Sequence, residues 1–438
     1  MSKTFRDWEP DQVWLLPPSL QDLVPAGHVA HFVREVVRTG LDLERILASY
    51  GEERGFPPYH PGMMVALLLY AYSQGVYSSR RIARGCEERL DFAAVTAMQR
   101  PDFRTVSDFR RRHSAALCGL FVQVLRLCRE AGLVKLGHVA LDGTKLKANA
   151  SKHKAMSYAR MVEAEPKLAA EVAGWLTAAG QADRAEDRRH GAGRRGDETP
   201  DWVANKERRL AKIREAKAAL EAEAQAAAAD KPGGRGRPGT PADKAQRNFT
   251  DPQSRIMKTG DGFIQGFNAQ AAVDATAQVI VAATVSNQAS DCPHLVGLVE
   301  QIATNLAAVP EQVSADAGYC SEDNLGALDS RNIDAHIATG RHQHGTAAPE
   351  ARSAPPHSRV AAMAAKLRIA GRKGPYRLRK QVVEPVFGQI KQARGFRQFL
   401  RRGLAAVQSE WSLICTVHNL LKLAAARRLP QPEMTVLA

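Results

Sequence analysis

Apolar residues recur three and four positions apart from about Pro18 to Leu133. Val29, Phe32, Val33, Val36 and Val37 fall on one helical face, and Met63 to Tyr72, introduced by Pro61-Gly62, is apolar at nearly every position. The pattern predicts an all-α unit over residues 1–135. It changes at Val139-Ala140-Leu141, a short apolar run closed by Asp142-Gly143, which predicts a strand with Asp142 at its exit. Farther on, Leu210, Ile213 and Leu220 mark a narrow stripe on a helix rich in Ala, Glu, Lys and Arg from Ala204 to about Ala229. The run Asp230 to Gly239 is Gly-, Pro- and Arg-rich. With the residues up to Arg247 it predicts a disordered basic loop, because burial there cannot offset the entropy of ordering. Residues 155–247 therefore read as a helical and low-complexity basic insertion.

Strand signals return after the insertion. Phe263 to Val273 and Val279 to Val285 predict a hairpin around Asp274-Ala275-Thr276. A helix from Ser290 to about Asn305, with Pro293 in its first turn, a strand over Val313 to Ala315, a helix over Glu322 to Leu328 and a strand over Ile333 to Ala338 follow. That order predicts an α/β domain with a mixed sheet, made of residues 136–154 and 248–425. A basic stretch from Gly340 to Pro375 precedes a long helical pattern from Val382 to Leu423, and residues 426–438 form a tail.

Composition narrows the function. Sixty-one Lys and Arg against 46 Asp and Glu leave a formal charge of +15 over 438 residues, which favours a polyanionic partner. The six cysteines form no C-x-x-C pair and no zinc-type spacing, and so read as buried or incidental thiols of a reducing compartment. The N-terminus lacks a signal-peptide core and no apolar run is long enough to span a bilayer, so the expectation is a cytoplasmic protein with no membrane partner.

Three acidic residues carry candidate chemistry: Asp142 before Gly143, Asp316 in Val313-Ser314-Ala315-Asp316-Ala317-Gly318-Tyr319, and Glu384 inside the otherwise apolar Val382-Val383-Glu384-Pro385-Val386-Phe387. Brought together, they offer hard oxygen ligands to a divalent cation among lysines and arginines, a set suited to phosphodiester chemistry. Taken singly, each aspartate is a turn residue and Glu384 a first-turn dipole partner. In the helical unit, Ser78-Ser79-Arg80-Arg81 and Thr105 to His113 each look like a capped helix start followed by arginines. Cations there oppose the helix dipole unless a phosphate is the partner. Arg80, Arg81, Arg110, Arg111 and Arg112 are thus expected to contact DNA in a helix-turn-helix-like element, with a solvated charged face as the alternative. Asp274 reads as a turn residue, Asp291 as the cap of the next helix, His342 and His344 as solvated, and Trp411 as core. Asn268 and Gln270, alternating with apolar neighbours, read as facing the site.

The blocks VALDGTKLKANAS (139–151), SADAGY (314–319) and YRLRKQVVEPVFGQIKQARGF (376–396), with YHPGMMVALLLYAYSQGVYSSRRI (59–82) and PDFRTVSDFRRRH (101–113), resemble bacterial insertion-sequence DDE transposases. The resemblance covers residues 15 to 423. It implies a ribonuclease H-like catalytic domain, with Asp142 on the first strand, Asp316 just past the fourth and Glu384 on a following helix. These three would be the catalytic residues and ligands of Mg2+ or Mn2+, Asp142 shared between two ions. It also implies a DNA transposase that cleaves at its element's ends and transfers the freed 3′-hydroxyl, working as a homodimer in a synaptic complex. The family's Y-x2-R-x3-E-x6-K pattern is met at Tyr376, Arg379, Glu384 and Lys391, but with four residues between Arg379 and Glu384. This spacing leaves the phosphate contact open between Arg379 and Lys380. Lys145, Lys147, Lys391 and Arg394 complete the expected DNA-binding set. The alternatives are a metal-dependent nuclease that does not join strands, or a transposase-derived DNA-binding protein without catalysis.

Overall fold

The computed structural model describes residues 24–51, 57–190, 201–230, 239–340, 357–371 and 374–428, with Ser19, Asp22 and Pro355. Seven helices come first: α1 (Val29–Glu35), α2 (Glu44–Leu47), α3 (Pro61–Ser73), α4 (Ser79–Glu88), α5 (Leu90–Thr96), α6 (Phe103–Arg112) and α7 (Ser114–Glu130). Strand β1 (His138–Lys147) follows, then β2 (Ala155–Ser157), α8 (Tyr158–His190), α9 (Asp201–Asp230) and β3 (Gln246–Asn248). The rest is β4 (Arg255–Thr259), β5 (Gly262–Asp274), β6 (Val279–Ser286), α10 (Leu295–Leu306), β7 (Gln312–Ala315), α11 (Glu322–Asp329), β8 (Asp334–Ile337), α12 (Arg359–Ala370), α13 (Pro375–Gly388) and α14 (Leu404–Arg428).

The sheet is mixed, as the element order predicts. Its strand path is β4-β5-β1-β7-β8, and β6 also pairs with β5. β1 is antiparallel to β5 and parallel to β7, and β7 is parallel to β8. One hydrophobic core runs through the N-terminal helices, the sheet and α14. Helix α3 is buried along nearly its whole length, which explains its continuous apolar run. A separate small core of Met156, Met161, Ile213, Ala216 and Leu220 holds the α8–α9 pair onto the β2–β3 ribbon.

Several expectations change. Asp142 is not at a strand exit: β1 continues to Lys147 because Gly143–Lys147 pair with Gln270–Gly266 of β5. The supposed helix start at Thr105 is the interior of α6, which Asp102 caps through the Arg104 and Thr105 amides; Arg110, Arg111 and Arg112 fall in its last turn, where cations complement the dipole. Helix α5 stands between α4 and α6, so the two are not joined by a tight turn. The helical pattern from Val382 to Leu423 is broken. α13 ends at Gly388, a π-helical turn spans Gln389–Ala393, and α14 starts only at Leu404. The basic stretch after Gly340 contains α12, capped by Ser358. Of the predicted disordered loop, residues 231–238 lie outside the described residues, whereas Arg247 is in β3 and paired with Glu223. His342 and His344 also lie outside them. No helix of the described residues is long and apolar enough to cross a membrane, and the six cysteines are free, with Cys86, Cys128 and Cys415 buried.

Candidate active site

β1 alternates its side chains between two faces of the sheet. Asp142 and Thr144 lie on the face covered by α13; Gly143 and Lys145, whose register partners are Gln270 and Asn268, lie on the other. Asp316 immediately follows β7, the strand parallel to β1. It caps the 3-10 turn Ala317–Tyr319, its carboxylate accepting from the Gly318 amide at 2.9 Å. Adjacent strands thus bring the two aspartates together, and their charges interact directly.

Helix α13 supplies a cation to Asp142, close enough to Asp316 for their charges to interact. Gly374 and Pro375 start it, Pro at a position where its missing N–H costs nothing. Arg379 then comes one turn in and donates from Nη1 to Asp142 Oδ2 at 2.9 Å. Arg379 is 8 % and Asp142 19 % exposed, so the pair is largely dry. Burial raises the Asp142 carboxyl to about 6; the Arg379 charge opposes that rise and the negative charge of Asp316 adds to it. Tyr376 lies half-buried beside Arg379, and Lys391 donates to Thr144 Oγ1 at 3.0 Å, two residues along β1 from Asp142. Downstream, Pro385 lacks the N–H that would bond to the Gln381 carbonyl. The Gln278 side chain from the β5–β6 turn donates to that carbonyl at 2.9 Å, tying α13 to the sheet.

Glu384 lies on α13, exposed to solvent. Among the described residues no group of three His, Cys, Asp or Glu side chains is placed to hold an ion, so Asp142, Asp316 and Glu384 do not form a closed ligand set here. The π-helical turn also removes the regular two-turn spacing expected between Glu384 and Lys391. The pair itself fits a hard divalent cation. It offers two mutually repelling carboxylates, one held up by burial, with a single guanidinium near both.

The other predicted contacts divide by burial. Arg80, Arg81, Arg111, Arg112, Lys147 and Lys380 are exposed, with Arg80 lying 5.0 Å from the Phe103 ring centroid and Arg111 paired to Asp108. Arg110 is buried and spends its donors on the Tyr72 hydroxyl, the Tyr77 carbonyl and the Ser79 hydroxyl, locking α6 to α3 and α4. Arg394 turns inward, bonding His418 and the Gln389 carbonyl. Lys145 is paired with Asp291 on the far face, at 3.0 Å. These three were expected on a DNA surface and are instead used inside the protein.

Asp291 is the acid that the sequence reading missed. It makes no capping bond. Its Oδ1 accepts from Lys145 Nζ at 3.0 Å and from Asn268 Nδ2 and Gln270 Nε2 at 2.7 Å each. Burial works to raise its pKa, but the Asn268 hydrogen bond and the Lys145 charge prevail and hold it below the usual carboxylate value. Asn268 and Gln270, expected to face the site, instead converge on Asp291 on the opposite face of the sheet. Trp411 is core, stacked on Phe387 and donating to the Gln270 carbonyl at 3.0 Å, and Asp274 serves the hairpin turn through the Thr276 amide.

Comparison with known families gives the class. The Transposase DDE domain model matches residues 235–420, and the Transposase domain (DUF772) model matches residues 18–112. The chain belongs to the insertion-sequence DDE transposases. Asp316 and Glu384 fall inside the first match, and Asp142 lies between the two. No curated protein and no solved structure matches the chain.

Proposed function

We propose that this transposase binds the ends of its mobile element, hydrolyses a phosphodiester there and transfers the freed 3′-hydroxyl to target DNA. The observation that carries the reading is the meeting of Asp142 and Asp316 on adjacent strands, with Arg379 paired to Asp142. The strand path, with β1 flanked by an antiparallel and a parallel neighbour, supports a ribonuclease H-like catalytic domain built from residues 136–154 and 248–425. In that division residues 1–135 are the DNA-binding unit, and the small separate core of α8 and α9 supports residues 155–247 as an insertion.

Asp142, Asp316 and Glu384 would hold Mg2+ or Mn2+, which when bound supplies charge neutralisation and an activated oxygen nucleophile for in-line displacement at phosphorus. Arg379 pairs with Asp142 in the metal-free chain and would be available to the phosphate once an ion occupied that carboxylate, with Lys391 held on Thr144 nearby. Lys380, exposed one residue on, contacts the flanking backbone. The exposed Arg80, Arg81, Arg111 and Arg112 hold end DNA by phosphate attraction, so each neutralised contact should flatten the slope of log K against log salt by about 0.9. Coupled transfer requires two ends to be held together, hence a homodimer in a synaptic complex.

The test is cleavage of labelled DNA carrying the flanking inverted repeats, in Mg2+ and in EDTA. Supplying pre-cut ends separates a transposase from a nuclease: joined products in Mg2+ support transfer, and hydrolysis without joining supports the nuclease reading.

A further inference from the structure

Asp291 occupies the rear of the candidate site. Its three donors come from β1 (Lys145) and β5 (Asn268 and Gln270), and Gln270 extends the chain by accepting from the Tyr319 hydroxyl. Tyr319 is fully buried and closes the 3-10 turn that Asp316 opens. The backbone makes room for this acid at both candidate ligands. A methyl group on Gly143, next to Asp142, would come within 2.7 Å of Asp291 Oδ1, and one on Gly318, two residues after Asp316, within 3.2 Å of Oδ2. A carboxylate with three donors on one oxygen, lying behind the sheet, is held by the protein's own groups; its hydrogen bonds run directly to the strand carrying one ligand and, through Gln270 and Tyr319, to the turn carrying the other.

We propose that Asp291 is a positioning residue that sets the separation of Asp142 and Asp316 from the opposite face of the sheet, through Gln270 and Tyr319, without ligating the ion. The proposal rests on the metal reading given above. Residues that orient metal ligands in this way typically change affinity by about 10–100-fold when removed.

The experiment is Mn2+ binding to the full chain, read by the electron paramagnetic resonance of free Mn2+, alongside end-DNA binding and thermal unfolding. Asp291→Ala should weaken Mn2+ binding by about 10–100-fold at unchanged end-DNA affinity. Tyr319→Phe, which deletes one hydroxyl and keeps the ring, should weaken it in the same direction, and Asp291→Asn, which keeps an acceptor oxygen for the two amides, should restore most of the loss. If Asp291→Ala does not fold, Tyr319→Phe decides. Wild-type Mn2+ affinity in either folded variant overturns the positioning role while leaving the metal reading intact. A wild-type chain that binds no Mn2+ overturns both.

Discussion

The two faces of β1 hold two buried carboxylates under opposite regimes. On the rear face Asp291 is richly supplied with donors: a lysine and two side-chain amides meet one oxygen, and the acid is held below the usual carboxylate value despite burial. On the front face Asp142 has one guanidinium and one backbone amide, a second aspartate close by, and a carboxyl raised to about 6. Burial costs both groups; what separates them is whether the fold supplies enough donors and positive charge. A full set of donors on one oxygen marks an acid that organises structure. An acid left short of positive charge is poised for a cation that the fold does not itself provide.

The largest expected consequence lies on the front face. Asp142→Ala should lower end cleavage by at least about 10³-fold, as removal of a group central to transition-state charge does, with end-DNA affinity retained. Cleavage near wild-type level would remove Asp142 from the chemistry. Next, Arg379→Ala leaves two repelling carboxylates with no guanidinium. It should cost about 3–5 kcal/mol in urea unfolding at pH 8, the usual result of breaking a buried pair, and saturating Mg2+ should recover part of it; an unchanged midpoint would show that the pair is not electrostatically coupled.

pH separates the faces by a somewhat smaller amount. The folded-state pKa of Asp142 is raised from 3.8 to about 6, so its contribution to stability is fully present below about pH 4 and is lost as pH rises through about 6. Relative to Asp142→Asn, which stays neutral, the wild-type chain without metal should lose at most about 3 kcal/mol between pH 4 and pH 8. A difference that does not vary with pH would contradict the raised value. The smallest effect belongs to the rear. Lys145→Met should cost about 2 kcal/mol of stability, less than Arg379→Ala because Asn268 and Gln270 still donate to Asp291, and leave the salt dependence of DNA binding unchanged. A flatter salt slope would return Lys145 to the DNA surface.

Much of this arrangement was legible in the chain. The hairpin and the strand before Asp316 follow from apolar period and turn chemistry, whereas the helix bearing Tyr376 and Arg379 starts at Pro375, ahead of the Val382 at which the apolar period begins. Gly143 misled because glycine after an acid usually signals a turn, whereas here it makes room for Asp291 and Gln270 within a continuing strand. Asp291 itself looked like a cap; the signal that could have found it was Asn268 and Gln270, two amides on a strand whose other positions are apolar and which need a buried acceptor. The hairpin of β4 with β5 was also missed, although Thr259-Gly260-Asp261-Gly262 carries its turn signal and Gly262 takes φ +110°. Arginines at Arg110 and Arg394 gave no sign of burial, since local sequence does not show which hydroxyls and carbonyls tertiary packing will bring to a guanidinium. The break after Gly388 was marked by Gly388, Gly395 and Gly403, but the apolar period on either side concealed it.

The contrast between the two faces can be read in one titration. The carboxyl 13C resonances of Asp142 and Asp291, assigned with Asp142→Asn and Asp291→Asn, can be followed against pH in the metal-free full chain. The account predicts that Asp142 titrates near 6 and Asp291 below the ordinary carboxylate value. Reversal of that order, or both groups titrating together in the ordinary range, would contradict it.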